Sequence, residues 1–266
     1  MSAPNGARRQ KSDHPALPIT PDDMADCAEE IWQNGASILH LHIRDDHNQH
    51  SLDVERYRAS IAAIKNRVQD KLIIQATTEA VGIYNRHDQM HMVKELKPEA
   101  VSIALKELCP HEDSLRDFTH FTKWMVDENI FAQYILYDEH DYHRFEGYRK
   151  NGIFQNDRPF TLFVLGSYQG PSPETIAMAE QLKIKTIHAE FPWAVCGFAT
   201  NEADCVKHAI QHKGHIRVGF ENNIWRDEHN LLDSNSEMIK YSANEAQKAN
   251  RLVATADDVR TIFGLN

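Results

Sequence analysis

Two histidines stand one residue apart in ILHLHIRDDHNQHSLDVERY, residues 38–57, inside an otherwise apolar run. Side chains at i and i+2 of a strand share a face, so His40 and His42 project together. Two imidazoles converging from one strand can ligate a single divalent ion, and zinc is the usual guest of nitrogen donors. A pair of satisfied core histidines is the alternative, although aliphatic side chains would pack better at both places. Two ligands do not complete a centre. HIRVGFENN, residues 215–223, offers Glu221 just past a β-rich run, with a solvated loop acid as the plain alternative. Asp46, His47 and His50 read as a solvated loop, and Arg44 with Asp45 as an ion pair that supports the rim of the site.

The elements that must position these residues alternate in type. PITPDDMADCAEEIWQNGA reads as a helix, with Thr20 as N-cap, Pro21 in the first turn and Gly35 closing it. SILHLHI is a strand, LDVERYRASIAAIKNR a helix and KLIIQATT a strand. HDQMHMVKELKP (helix), EAVSIAL (strand), DSLRDFTHFTKWMVDEN (helix), IFAQYILYD (strand), EHDYHRFEGYRKNG (helix) and FTLFVLG (strand) continue the pattern. SPETIAMAEQL is a helix and KIKTIHAEF ambiguous. WAVCGF (strand), NEADCVKHAIQHKG (helix), HIRVGF (strand) and NSEMIKYSANEAQKAN (helix) complete the series.

With an unusually short strand at SAPNGA, directly after Met1, eight strand–helix units fill the chain. Such alternation implies an α/β fold with a parallel sheet, and eight units of this length imply a (β/α)8 TIM barrel spanning residues 1–266 as one catalytic domain. A doubly wound open sheet is the runner-up, but no GxGxxG follows the first strand. In a barrel, the rim at the strand C-termini is where active sites are built, and His40 and His42 end a strand.

Composition sets the context. The 266 residues are 41% hydrophobic and 26% charged, as expected of a globular protein large enough for a sizeable core. A net charge of −10 argues against broad nucleic-acid binding. Cys27, Cys109, Cys196 and Cys205 are scattered without a CxxC pair, which reads as reduced thiols. The polar N-terminus lacks an apolar targeting core, and no run approaches the roughly 18 apolar residues of a membrane helix. The expectation is a soluble, cytoplasmic protein with no membrane partner.

The ordered series PNGAR, HPALPITP, GASILHLHIRDD, IIQATTEAVG, LKPEAVSIAL, WAVCGF and GHIRVGFENN resembles the beta-keto acid cleavage enzyme family over essentially the whole chain. The founding activity of that family is 3-keto-5-aminohexanoate cleavage. The resemblance implies a Zn2+-dependent (β/α)8 barrel, commonly homotetrameric, that condenses a β-keto acid with acetyl-CoA and yields acetoacetate and a new CoA thioester. Carried over by position, it makes His40, His42 and Glu221 the zinc ligands and Arg217 the active-site arginine. It places Thr77 and Ser102 at two family hydroxyl positions beside the substrate carboxylate, where strand-end hydroxyls bonded to backbone are the alternative.

Three departures from the family pattern bear on mechanism. The acid after the zinc-ligating glutamate is here Asn222, which remains a substrate-contact position but cannot serve as a base. The glutamate near the end of the fifth strand has no counterpart in AQYILYD, where Gln133 and Ile135 are nearest. Glu79, where the founding enzyme has glycine, is the candidate for the displaced acid or base, with a rim acid paired to an arginine as the alternative. Arg8 falls where the founding enzyme has the glutamate that meets the substrate ammonium, so an anionic or neutral polar tail is expected.

Two other readings remain. Metal-dependent hydrolases of the amidohydrolase type also carry H-x-H on a barrel strand, but their bridging lysine and late aspartate are not found in register; TIHAEF supplies only His188 and Glu190. A non-catalytic metal-binding relative is conceivable given Asn222 and Gln133.

Overall fold

The computed structural model describes residues 1–155, 159–168, 191–227 and 229–265. Its first helix, α1 (Pro21–Gln33), starts where the sequence says it should. The Thr20 hydroxyl accepts from the Asp23 amide while the Asp23 carboxylate accepts from the Thr20 amide, a reciprocal cap that satisfies two otherwise orphaned donors. β1 (Ile38–Leu41) follows, completely buried. A small antiparallel hairpin, β2 (Ile43–Arg44) with β3 (His50–Ser51), leads to α2 (Val54–Val68) and β4 (Ile73–Thr77).

Then come α3 (Arg86–Leu96), β5 (Ala100–Ala104), the one-turn helix α4 (Leu105–Leu108), α5 (Leu115–Asp127), β6 (Phe131–Leu136), α6 (Glu139–Lys150) and β7 (Phe160–Leu165). After the undescribed stretch, β8 (Trp193–Gly197), α7 (Glu202–Gln211), β9 (His215–Ile216), α8 (Asn235–Lys248) and α9 (Ala256–Phe263) complete the chain. The expected helix SPETIAMAEQL and the segment KIKTIHAE, with His188 and Glu190, lie outside the described residues.

Seven strands form one parallel sheet in the order β1-β4-β5-β6-β7-β8-β9, the curled sheet of a TIM barrel with helices outside. Its two edges meet on the N-terminal segment rather than on each other. Ser2 bridges Leu39 on one side and Val218 on the other, both parallel, so the eighth barrel position is occupied by a single bridging residue and not by a strand over SAPNGA. The turn that follows explains why. Gly6 sits at φ +59°, and a Cβ there would lie 2.5 Å from Cγ of Glu221, so the chain can pass this close only as glycine.

The last strand is likewise shorter than HIRVGF. Regular pairing stops at Ile216 and Val218 keeps only its bridge, because Gly219 turns at φ +135° with its missing Cβ facing the carbonyl of Ala3 at 2.5 Å. The N-terminal end of the barrel is closed by aromatic rings. Phe131 and Phe160 open β6 and β7, and Phe263 of α9, a helix that the sequence reading did not anticipate, packs on both at 4.2 and 5.1 Å. Among the described residues no helix is long and apolar enough to cross a membrane.

Candidate functional site

Polar side chains are concentrated at the opposite end, where the strands finish. A cavity of roughly 280 Å3 there is lined by Arg8, His40, His42, Thr77, Glu79, Ser102, Arg217 and Glu221, eight of the nine residues singled out from the sequence. Asn222, the ninth, is not among its lining residues. It is completely buried beside Glu221, with both ends of its amide unpartnered. A volume of this size holds a small acid and lies below the usual range of drug-sized pockets.

His40 and His42 do share a face, and their Nε2 atoms approach to 3.0 Å. The Glu221 Oε2 atom lies 3.6 Å from the first and 3.4 Å from the second. Four ligands around zinc at about 2.0–2.1 Å would be separated by tetrahedral edges of about 3.3 Å, so these three atoms are spaced as ligands of one ion. Glu221 Oε2 has no hydrogen-bond partner although it is buried, so an ion would satisfy an atom the protein itself leaves bare. The residues fit a divalent metal.

Electrostatics prepares the donors. Burial, with the nearby Arg217 charge and His42, pushes His40 down to about 3 against the pull of Glu221, so the ring is neutral and its lone pair free at neutral pH. Burial would raise Glu221, but the Arg217 guanidinium and the two histidines outweigh it and hold the carboxylate well below its ordinary range. Arg217 donates from Nη2 to Glu221 Oε1 at 3.0 Å, which leaves Oε2 for the ion. The turn carrying Glu221 is itself pinned. The buried Glu202 accepts from the Gly219 amide and Asn223 Nδ2, and Asn235 accepts from the Phe220 amide.

The remaining expected residues take varied positions. Ser102 Oγ is buried with no partner. Thr77 Oγ1 accepts from the Glu79 amide at 3.1 Å, the backbone bond of a strand-end hydroxyl, and keeps its own proton to donate. Glu79 reaches between two groups: one oxygen is 3.8 Å from His42 Nδ1 and the other 3.9 Å from Arg8. Arg8 is the outermost, its side chain 57% exposed.

The loop after β1 corrects the sequence reading twice. Arg44 does not pair with Asp45; its guanidinium donates to the carbonyls of Gly6, Arg9 and Asn48 and so ties the N-terminal segment to the hairpin. His50 is no solvated loop residue. It is buried in β3, with Nε2 on the Glu79 carbonyl at 2.8 Å and its ring 5.3 Å from that of His42. Neither was readable before the β2–β3 hairpin was known to fold back over the rim.

Sequence reading also missed Lys106, Glu107, Tyr137 and Tyr168 on the cavity wall. Lys106 Nζ sits 3.5 Å from the Tyr137 ring centroid. Glu107 is pinned by the Ala80 amide and Gln89 Nε2, and burial, with the Glu79 charge, raises it above the ordinary carboxylate range. Lys106 and Glu107 directly follow EAVSIAL, and that position at a strand C-terminus was the available signal for them.

The sequence profile of the beta-keto acid cleavage enzyme family matches residues 1–265. A 3-keto-5-aminohexanoate cleavage enzyme of Fusobacterium nucleatum is 29% identical over 98% of this chain and 95% of its own. A 3-oxoadipate:acetyl-CoA acetyltransferase of Cupriavidus necator is 21% identical over 98% and 92%. Among solved structures, a ternary complex of ObcA with a C4-CoA adduct and oxalate aligns with a TM-score of 0.73 at 16% identity. It covers 94% of this chain and 68% of that one, a likeness of fold.

Proposed function

Because the chain belongs to the beta-keto acid cleavage enzyme family, we propose that it condenses a β-keto acid with acetyl-CoA, giving acetoacetate and the CoA thioester of the remaining acyl group. The convergence of His40 Nε2, His42 Nε2 and Glu221 Oε2 at the barrel rim carries this reading. These three side chains would hold Zn2+, which with three protein ligands keeps coordination positions open and supplies Lewis acidity to the keto oxygen and the neighbouring carboxylate.

The chain's own residues do the rest. The Thr77 and Ser102 hydroxyls donate to the carboxylate, and Arg217 presents a fixed positive charge to the enolate oxygen. Glu79 takes a proton from the carbon between keto and carboxylate groups. That carbon attacks the thioester carbonyl and the CoA thiolate leaves. The thiolate then adds to the original keto carbonyl, the C–C bond breaks, and the acetoacetate carbanion takes its proton back from Glu79. Asn222 carries no basic group that could accept a proton and does not line the cavity, so it takes no part in these steps.

Arg8 and Lys106 put two cations among the residues that line the cavity, and we assign them to an anionic or neutral polar substrate tail. Family resemblance further leads us to propose a homotetramer, and four free, buried cysteines fit the reducing cytoplasm.

The deciding experiment incubates the metal-loaded protein with acetyl-CoA and a panel of 3-oxoadipate, 5-hydroxy-3-oxohexanoate and 3-keto-5-aminohexanoate. Acetoacetate with a matching acyl-CoA is expected. Hydrolysed substrate without acyl-CoA would return the reading to a hydrolase, and no product from any member would return it to a non-catalytic relative.

A further inference from the structure

His40 offers its Nε2 to the ligand cluster, so its other nitrogen decides which tautomer it adopts. That Nδ1 lies 2.9 Å from Oε1 of Gln75, the residue directly opposite His40 in the paired strand β4. Gln75 Nε2 in turn donates to Gln133 Oε1 at 3.4 Å, and Gln133 Nε2 donates to Met1 Sδ at 3.4 Å. Both glutamines are fully buried inside the barrel.

The direction of this chain follows from its far end. A thioether accepts but has no hydrogen to give, so Gln133 must turn its nitrogen toward Met1 and its oxygen toward Gln75. Gln75 must then present nitrogen to Gln133 and oxygen to His40. An oxygen facing Nδ1 requires the proton to sit on Nδ1, which leaves the Nε2 lone pair bare. Reversed, the chain would put the proton on Nε2, between the two histidines, where no ion could be bound.

We propose that Gln75, oriented by Gln133, is a positioning residue that fixes His40 in its Nδ1–H tautomer and thereby sets the metal affinity of the centre. This rests on the reading of His40, His42 and Glu221 as a metal centre. It also gives Gln133, one of the two residues nearest the position where the family pattern has a glutamate, a place in ordering the interior rather than in moving protons.

The test uses the full chain stripped of metal and titrated with Zn2+ against a chromophoric chelator. Gln75→Leu removes the acceptor and should weaken Zn2+ roughly 10–100-fold, the range for partners of metal-ligating histidines. Gln75→Glu and Gln133→Glu keep acceptors in the same places and should stay within a few-fold of wild type, whereas Gln133→Leu should fall between. Long-range 1H–15N NMR of the metal-free protein should show His40 as the Nδ1–H tautomer in wild type and the Nε2–H form gaining in Gln75→Leu. Thermal melting of every variant separates a folding loss from a tautomer change. Equal Zn2+ affinity in wild type and folded Gln75→Leu, or an Nε2–H tautomer in wild type, overturns the proposal and leaves the centre intact. If wild type binds no Zn2+, it is the metal-centre reading that falls.

Discussion

On the buried wall of the cavity the side chains of His40, His42, Arg217 and Glu221 are at most 8% exposed; on the outer wall, which begins at Glu79 beside His42, Glu79 is 24% and Arg8 57% exposed. The first wall is fixed from behind. Gln75 holds His40, Arg217 holds Glu221, and the Glu221 turn hangs on Glu202 and Asn235. The second wall is held by long contacts near 3.8–3.9 Å and by stacking of Arg8 and Arg9 against Tyr168. A metal centre needs its donors placed in advance, within about 0.5 Å of the binding geometry. A wall that meets a variable tail has no such need, and its charges stay close to water, where they cost less and discriminate less.

If that contrast is right, breaking the buried wall has the largest effect. His40→Ala or His42→Ala removes a ligand outright and should weaken Zn2+ by more than the roughly 10–100-fold expected for loss of a supporting partner, with activity lost in parallel. Elemental analysis of the purified variants checks this. Full metal occupancy in the double variant, or no divalent metal in carefully prepared wild type, would remove the assignment.

Glu79 is where the outer wall meets the buried one, 3.8 Å from His42 and 3.9 Å from Arg8. Glu79→Gln keeps its shape and removes the carboxylate proposed as the base. Turnover should drop by about 10²-fold or more, in line with general acid–base contributions, while metal content stays at the wild-type level. Wild-type turnover in this variant would show that the proton is handled elsewhere, with Glu107 the other carboxyl on that wall.

Glu202 sharpens the comparison from behind the metal wall. Burial raises it to about 8, against the hydrogen bonds from Gly219 and Asn223 that would lower it. The folded state therefore holds this proton up to about pH 8, while an unfolded glutamate releases it near 4.5. Folding takes up a proton between those values, so the stability from this group is present at low pH and lost as pH rises through that window. The slope is at most about 1.4 kcal/mol per pH unit. Glu202→Gln cannot ionise and should flatten the melting-temperature profile of the metal-free protein from pH 5 to 8. Superimposable profiles would mean that Glu202 is not protonated in the folded state.

The buried wall was the legible one. H-x-H at a strand end gives convergence by geometry alone, and strand–helix alternation gives the barrel, because both are local periodicities. What escaped depends on long-range closure. The eighth strand position shrank to Ser2 because Gly6 and Gly219 let the N-terminal segment and the Glu221 turn pass within a missing Cβ of each other. His50 and Arg44 were misplaced because nothing in RDDHNQH announces a hairpin that folds back onto Gly6 and Glu79. Helix α9 was readable in part. Thr255 and Asp258 form a capping box and Gly264 ends the helix in the left-handed region, but the helix is only eight residues long and its reason to form is the Phe131–Phe160 pair it covers.

The smallest effect belongs to Arg8, and the structure itself reduces it. Two unit charges about 4 Å apart interact by roughly 4 kcal/mol at an effective dielectric of 20, which alone would reject an ammonium tail by several hundredfold. Arg8, however, is more than half exposed and already faces Glu79 at 3.9 Å. Its field at the cavity is screened by water and partly cancelled by that carboxylate, so about 0–1 kcal/mol, a few-fold in kcat/KM, is the realistic scale. Wild type should therefore prefer 3-oxoadipate or 5-hydroxy-3-oxohexanoate over 3-keto-5-aminohexanoate. Arg8→Glu should narrow that preference by only a few-fold, while Lys106→Met narrows it for the dicarboxylate alone. A preference for the aminated substrate in wild type would mean that Glu79 and Glu107, not the two cations, meet the tail.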